Sequence, residues 1–503
     1  MRPNRRRNMK KPIKTVALLL SLICAIPLFA ACEKKPDKPE RSRYEITATY
    51  DEQAKTVAAS MSLSYYNASE AILDELCFHL YPAAFREGAR FSPVPKEAVS
   101  TAYPSGLSYG GIETGKVTLD GEEVKAAIEG EDEDILVVKI GGEGLYPGER
   151  AAVTLDFNLK LPEIRHRFGY QGSRVNLGNW YPIACAFEDG NFVTDPYYST
   201  GDPFYSDCAD YKVSITVPGE LTVAASGKVT SAENADGTKT FSSEIEGARD
   251  YAAVIGEFKM LGSKVGNTDV NYYYISDPEP EKALTAAVDS LKTFSDKFGE
   301  YPYESMSSVE TQFLQGGMEY PGLAMISDAL TGDIYREAII HETAHQWWYA
   351  AVGNDEVRYP WMDEGLTEFS TSIFYRENPG YNVDYQKRIA DALGAYVLYF
   401  DAFKTASSDT SMTRKVCEYE SQFEYTYMTY VKGELMFESL RSVIGDEKFF
   451  AGLKDYYSTY KFKTAKPDDL IGCMEKASGR ELKGFFDSWT EGKVADFGGL
   501  SGK

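Results

Sequence analysis

Two of the four histidines in this 503-residue chain, His341 and His345, lie four positions apart, and Glu342 follows the first of them. Residues four apart share one face of a helix, so both imidazoles can reach one divalent metal ion. The carboxylate of Glu342 can then approach a water molecule on that ion. A His-Glu-x-x-His pentapeptide of this kind predicts metal-assisted hydrolysis, with Glu342 as the general base.

A third ligand is needed, because zinc in a hydrolytic site takes three protein ligands and keeps one position open. Glu364 lies 19 residues after His345, in a Trp-Met-Asp-Glu-Gly segment at the start of the next predicted helix. We therefore expect one Zn²⁺ per chain, bound by His341, His345 and Glu364. The alternative is a pair of packed core histidines and a solvated glutamate, and the complete ligand set argues against it.

Helical segments are predicted at 281–298, at 334–352 with Asp333 as the N-cap, and at 364–375. The first half of the chain has the alternation of β-strands, and the Asp-Gly pairs at 120–121 and 236–237 predict hairpin turns. The sequence thus predicts an α+β protein of two domains. An antiparallel β domain at 44–277 precedes a mostly helical domain at 278–503.

Four segments together resemble the aminopeptidase N-like zinc metallopeptidases. The metal motif continues as His-Gln-Trp-Trp at 345–348, and the third ligand lies in Trp-Met-Asp-Glu-Gly at 361–365. Upstream, Gly-Gly-Met-Glu-Tyr at 316–320 resembles the family's Gly-x-Met-Glu-Asn exopeptidase signature, and Tyr-Val-Lys-Gly at 430–433 resembles its Tyr-x-Lys-Gly segment. The resemblance implies a saddle-like N-terminal β domain and a thermolysin-like catalytic domain.

The resemblance also implies a role for each matching residue. Glu342 is expected to act as the general base, and Tyr430 to donate a hydrogen bond to the tetrahedral oxyanion. Glu319 is expected to hold the α-amino group of a peptide substrate, and the backbone of Gly316, Gly317 and Met318 to line the substrate strand. The expected activity is release of N-terminal amino acids from peptides. Glu368, one helical turn after Glu364, either orients a ligand histidine or is a solvated acid.

Two departures from the family pattern keep other activities open. Tyr320 replaces the usual asparagine of the exopeptidase signature. The residues after the catalytic segment leave no room for the long helical C-terminal domain of many relatives, so we expect a more open cleft. The alternatives are an endopeptidase or specialised hydrolase, and a lipoprotein that binds peptides without catalysis.

The first 31 residues predict a secretory signal. Seven basic residues precede an apolar run that is short for a membrane span, and Phe-Ala-Ala-Cys at 29–32 resembles a lipobox. We expect Cys32 to carry lipid and residues 32–43 to form a polar tether. The protein would then lie outside the cytoplasm, attached to a bacterial membrane by lipid alone. Plain secretion is the alternative.

The net charge of −23 argues against a nucleic-acid partner, since proteins that bind nucleic acids need cationic surfaces. Of the cysteines after residue 32, Cys185 and Cys208 can pair in an oxidising compartment. Small buried thiols are the other interpretation, and no cysteine spacing resembles a zinc knuckle. The sequence leaves the oligomeric state open.

Overall fold

The computed structural model describes residues 40–404 and 408–491. The signal segment, Cys32 and most of the tether therefore lie outside the described residues. Within the described ranges, no helix combines the length and apolarity that crossing a bilayer requires.

Strands dominate the first part of the described chain. The largest sheet has eight strands, in the spatial order Lys228–Glu233, Thr238–Ala248, Ala209–Pro218, Arg43–Asp51, Thr56–Tyr66, Arg150–Lys160, Gly111–Leu119 and Glu122–Glu123. A four-stranded sheet contains Thr222–Ala225, Ala253–Gly256, Arg174–Leu177 and Phe168–Gln171. Another contains Ile183–Ala184, Glu75–His79, Ile135–Lys139 and Ala126–Glu129, and a hairpin pairs Phe187–Glu188 with Asn191–Phe192.

The long strands of the eight-stranded sheet alternate strictly between buried and exposed residues, because successive side chains point to opposite faces. Both predicted Asp-Gly turns connect paired strands, as expected. The sheet is not wholly antiparallel, however, since Arg43–Asp51 pairs with Ala209–Pro218 in parallel. A parallel pair needs a long crossover, and here more than 150 residues separate the two strands.

A second sheet carries the exopeptidase-like segment. Its five strands lie in the order Lys259–Val265, Thr268–Tyr274, Ser305–Thr311, Leu323–Ser327 and Gly317–Met318. The first two of these strands precede the predicted boundary at 277/278 and pair with each other, and the second also pairs with Ser305–Thr311, which follows the boundary. The proposed division into domains stays a prediction.

The helices follow in the second half of the chain. The longer ones are Pro280–Phe298, Gly332–Ala344, Glu364–Glu377, Tyr385–Phe403, Lys432–Ile444, Asp446–Tyr460, Pro467–Ser478 and Lys483–Thr490. Shorter helical turns are Tyr81–Phe85, Lys96–Ala98, Val99–Ala102, Pro379–Tyr381, Val416–Glu418, Gln422–Thr426 and the π-helical Tyr427–Val431. A small parallel pair joins Val352–Gly353 to Lys463–Thr464. The α+β class predicted from the sequence is confirmed.

The helix with the His-Glu-x-x-His pentapeptide, Gly332–Ala344, is called the motif helix below. It ends eight residues before the predicted end, and Thr331 rather than Asp333 is its N-cap residue. The apolar residues after it look helical in sequence, but the chain turns there, with a φ of 135° at Tyr349. Hydrogen bonds hold this turn, since the Tyr349 hydroxyl donates to Asp250 (2.7 Å) and the Ala350 amide to the carbonyl of His345 (3.0 Å).

Candidate active site

The motif helix and the helix Glu364–Glu377, called the returning helix, bring the three predicted metal ligands together. The Nε2 atoms of His341 and His345 are 3.2 Å apart, and Glu364 Oε2 lies 3.5 Å from the first and 3.2 Å from the second. Ligand atoms about 2.0–2.1 Å from a tetrahedral zinc lie roughly 3.3 Å from one another. The three atoms therefore form one face of a zinc coordination tetrahedron.

The donor set also fits zinc chemically. Glu364 Oε2 is buried and has no hydrogen-bond partner among the described residues, as expected of an oxygen reserved for a cation. Although burial acts to raise the pKa of the Glu364 carboxyl, His345 and His341 beside it lower that pKa to about 2. Two imidazoles and one carboxylate are typical ligands of a catalytic zinc site.

Each ligand histidine is held through its other ring nitrogen. His341 Nδ1 lies 3.2 Å from Glu368 Oε2, and Arg388 in turn donates to Glu368. His345 Nδ1 lies 3.0 Å from the carbonyl of Trp348 and 3.1 Å from the Thr367 hydroxyl. These contacts turn both Nε2 atoms toward the shared metal position. Of the two roles left open for Glu368, the geometry supports that of orienting His341.

Tyr430 reaches the site from a third element, the π-helical turn Tyr427–Val431. Its hydroxyl donates to Glu364, and its ring stacks on that of His341 with the centroids 6.0 Å apart. Short π-helical turns are frequent at functional sites, where they re-aim a side chain. Gly433, two residues after this turn, allows the chain to approach the returning helix closely. An added Cβ on Gly433 would lie 2.7 Å from the Cα of Gly365 in that helix.

Glu342 and Glu319 complete the predicted catalytic set. Ligand atoms of Glu319, Glu342 and His345 all lie within 4.8 Å of one another, and both carboxylates are buried. Burial raises the pKa of Glu342 to about 7 and that of Glu319 well above its usual range. Glu342 Oε2 and Glu319 Oε1 have no hydrogen-bond partner among the described residues. These two oxygens are free to meet a water molecule and a substrate group.

The backbone around Gly317 lies against the general base. Gly317–Met318 is the edge strand of the five-stranded sheet, and a Cβ on Gly317 would lie only 2.4 Å from Glu342 Oε1. Gly316 is more open, since a Cβ there would meet only Leu330 at 3.9 Å. The Met318 side chain is buried in the core, so only its backbone can face a substrate. An edge strand can bind an extended peptide through main-chain hydrogen bonds.

Tyr320, the departure from the exopeptidase signature, does not enter the ligand cluster. Its side chain is buried, and its hydroxyl donates to Asn179 Oδ1 at 2.7 Å. Asn179 donates to Asp250 at 3.2 Å, which also accepts the hydroxyl of Tyr349. Tyr320 thus ties the strand carrying Glu319 to a loop of the β-rich part of the chain.

Sequence reasoning missed three acidic residues beside the site. Asp202, held by Arg167 at 2.8 Å, has an oxygen within 4.8 Å of oxygens of Glu319 and Glu364. Glu356 and Asp363 form a similar group with Glu319. Asp363 stands in the quoted Trp-Met-Asp-Glu-Gly segment, but nothing in the local sequence marks Asp202 or Glu356.

Two other predictions from the sequence concern cysteines. Cys185 and Cys208 are free thiols in the structure rather than a disulfide, and Cys185 is buried. The lipid site predicted at Cys32 lies outside the described residues.

The chain is similar to known proteins in both sequence and fold. Residues 282–489 match the sequence profile of the peptidase family M1 domain, and this range contains every predicted metal ligand. These residues form a peptidase family M1 domain, in agreement with the resemblance to the aminopeptidase N-like zinc metallopeptidases. As in that family, the three ligands imply a catalytic zinc ion.

Several curated relatives of this chain are aminopeptidases. Aminopeptidase M1-B of Oryza sativa subsp. japonica is 24% identical over 427 residues, which are 78% of this chain and 47% of the relative. Aminopeptidase N of Lactobacillus delbrueckii subsp. lactis is 24% identical over 396 residues, or 75% of this chain and 45% of the relative. The chain therefore spans less than half the length of each of these relatives.

Solved structures share the fold over most of the chain. The M1 zinc metallopeptidase of Deinococcus radiodurans has a TM-score of 0.65 at 18% identity and covers 91% of this chain and 94% of its own. A mutant of that protein bound to a Tyr-Ser-Ala substrate has a TM-score of 0.62 at 17% identity, with the same coverage. At such identities the likeness shows the fold, which is the α+β arrangement predicted from the sequence.

Proposed function

We propose that this chain is a zinc-dependent aminopeptidase that releases N-terminal residues from peptides. The observation that carries the proposal is the position of Glu319, whose buried carboxylate lies within 4.8 Å of Glu342 and of the ligand His345. An α-ammonium group bound there would fix the first peptide bond of a substrate beside the metal position. The names of the curated relatives support the same activity.

The residues of this chain divide the chemistry between them. When zinc is bound, it supplies a water of lowered pKa, near 7, and polarises the scissile carbonyl. Glu342, with its unpartnered Oε2, accepts the proton of the attacking water and delivers it to the leaving amine. Tyr430, which donates to Glu364 in the structure, is placed to donate to the oxyanion that forms beside that ligand.

The test compares a dipeptide amide that has a free N-terminus with the same compound N-acetylated. We expect hydrolysis only of the dipeptide amide with a free N-terminus. The variant Glu342→Gln should still bind zinc but should no longer hydrolyse this substrate. Equal hydrolysis of both forms would remove Glu319 as an amine anchor and favour the endopeptidase alternative. Stoichiometric zinc without hydrolysis of any peptide would favour a non-catalytic binding protein.

We further propose that the enzyme is attached to the outer side of a bacterial membrane by lipid on Cys32. The support is the sequence alone: a basic head, an apolar run and Phe-Ala-Ala-Cys at 29–32. Metabolic labelling with a fatty acid should mark the wild type, and the variant Cys32→Ser should lose the label and leave the membrane fraction. A label that persists in that variant contradicts the proposal, and an unlabelled wild type in the medium indicates secretion.

A further inference from the structure

Two cysteines of the β-rich part of the chain lie opposite each other on paired segments. Ala184 is opposite Phe78 in an antiparallel pair of strands. The next positions in this register are Cys185 and Cys77, and the Cys185 amide donates to the Cys77 carbonyl at 2.9 Å. The two cysteines are therefore direct neighbours across the pair, although more than 100 residues separate them in the chain.

The two side chains belong to one small buried cluster. Directly opposite residues of antiparallel strands point to the same face of the sheet. Cys77 is 5% exposed and Cys185 is 3% exposed, and they form a group with Ile135 and Val137, against which Phe192 packs. The register and this packing together place the two thiols side by side in the core.

The spacing of such a pair suits a disulfide bond. Opposite residues that exchange backbone hydrogen bonds have Cα atoms about 5.5 Å apart, and disulfides join Cα atoms about 4.4–6.8 Å apart. Their Cβ atoms lie about 4.5–5.5 Å apart, whereas a disulfide needs about 3.5–4.5 Å, so the strands have to close by about 1 Å. The strand before Cys185, Ile183–Ala184, has two residues and lies at the edge of its sheet, so it can make this shift.

Cys208, the partner of Cys185 expected from the sequence, has different surroundings. It directly precedes Ala209–Pro218, a strand of the eight-stranded sheet. Burial, followed by the neighbouring Cys77 thiol, raises the pKa of Cys185 well above its usual range. Burial also raises the pKa of Cys208, but there the largest opposing influence is the charge of Arg249. These surroundings favour Cys77 as the partner of Cys185.

We propose that Cys77 and Cys185 form a cross-strand disulfide bond. The oxidant is a protein disulfide or glutathione disulfide. One cysteine thiolate attacks a sulfur of the oxidant and releases one thiol, and the second cysteine then displaces the other thiol. One S–S bond forms as another breaks, two electrons pass to the oxidant, and the leaving thiols take up the two cysteine protons. The location proposed above, outside the cytoplasm, is one where such bonds persist.

The bond would anchor a segment that leads to the active site. After Cys185 the chain reaches Asp195, which accepts a hydrogen bond of 2.8 Å from Arg358. It then reaches Asp202, which has an oxygen within 4.8 Å of an oxygen of the metal ligand Glu364. A disulfide at the start of this segment therefore stabilises the part of the β-rich region that contacts the site.

The expected stabilisation is large because the bond closes a loop of more than 100 residues. Disulfides typically raise the folding equilibrium constant by about 30-fold to 1,000-fold. Because the strands have to shift to close this bond, we expect a value near 30-fold. Burial raises the pKa of Cys77 to about 12, and the thiolate is the attacking form. The bond should therefore form while the strands pair during folding.

The experiment refolds the reduced, urea-unfolded protein with zinc in a mixture of reduced and oxidised glutathione, and then blocks free thiols with iodoacetamide. Digestion after glutamate separates the cysteines, since Glu188 lies between Cys185 and Cys208. We expect mass spectrometry to find residues 76–87 linked to residues 164–188, and dithiothreitol to separate them. In urea unfolding, the oxidised protein should have the larger folding equilibrium constant, by about 30-fold.

Two variants provide matched comparisons. Cys208→Ala should retain both the linked peptides and the effect of dithiothreitol on urea unfolding. Cys77→Ala should lose both, and its Cys185 should be recovered with the iodoacetamide label. The linkage itself is measured on the wild type, so the proposal stays testable if Cys77→Ala folds poorly.

Three results would overturn the proposal. The wild type keeps both thiols labelled by iodoacetamide after refolding, or Cys185 is found linked to Cys208 or to glutathione, or the linked protein unfolds at the same urea concentration with and without dithiothreitol. Peptide hydrolysis is not a readout here. Failure of the proposed aminopeptidase function is therefore distinguishable from failure of this inference.

Discussion

Replacing Gly317 by alanine should disable the general base without touching a metal ligand. A Cβ at this position would lie 2.4 Å from Oε1, 2.6 Å from Cδ and 2.7 Å from Cγ of Glu342. The φ of Gly317 does not lie in the left-handed region, so alanine is compatible with the backbone there, and the conflict is one of space. The motif helix is packed in the core, so the carboxylate rather than the helix has to move.

The size of the effect follows from these distances. Ordinary contacts of a Cβ atom begin near 3.4 Å, so the Glu342 carboxylate has to shift by about 1 Å. A reacting group misplaced by about 1 Å costs on the order of 100-fold in rate. We expect kcat of Gly317→Ala to fall by about that factor, while zinc content stays at one per chain because His341, His345 and Glu364 keep their positions.

The assay measures kcat and KM on a dipeptide amide, zinc by elemental analysis and folding by circular dichroism. Gly316→Ala is the comparison, because its Cβ would meet only Leu330, at 3.9 Å, and leaves Glu342 in place. Any effect of Gly316→Ala should be on peptide binding and should therefore appear in KM. A kcat of Gly317→Ala within threefold of the wild type, or an equal loss of kcat in both variants, would contradict a displaced Glu342 carboxylate.

Three further predictions concern residues around and away from the metal position. Glu368→Ala should raise the zinc dissociation constant about 10-fold to 100-fold by releasing His341, measured by competition with a chelator; unchanged affinity contradicts the orienting role. Tyr430→Phe should lower kcat by about 100-fold or more with zinc retained, whereas Tyr427→Phe, whose ring packs on Tyr399 and Phe423, should not. Burial lowers the pKa of His79 to about 4, so the unfolded chain binds its proton first as the pH falls below 6.5. The wild type should then lose about 3 kcal/mol more stability than His79→Phe between pH 7.5 and pH 4, and equal losses in urea unfolding contradict this.

Much of the fold was accessible from local patterns. Strand alternation and the Asp-Gly turns predicted the β-rich first half, and helical periodicity predicted Pro280–Phe298 almost to the residue. The predicted end of the motif helix was wrong because the apolar residues 347–351 are all buried. Such a run does not show whether the chain continues as a helix or turns. The parallel pair in the large sheet was missed because its strands are distant in sequence.

The sequence alone determined the chemistry. Three local features were enough to name His341, Glu342, His345 and Glu364. They are two ligands spaced by one helix turn, a base next to the first ligand, and a third ligand at the start of the next helix. Only the tertiary structure decided that Glu356 and Asp363 meet Glu319 around one point, and that Gly433 lets Tyr430 reach Glu364. The reason is physical: coordination by neighbours on one helix is fixed by backbone periodicity, whereas a cluster of residues from separate elements depends on how those elements pack.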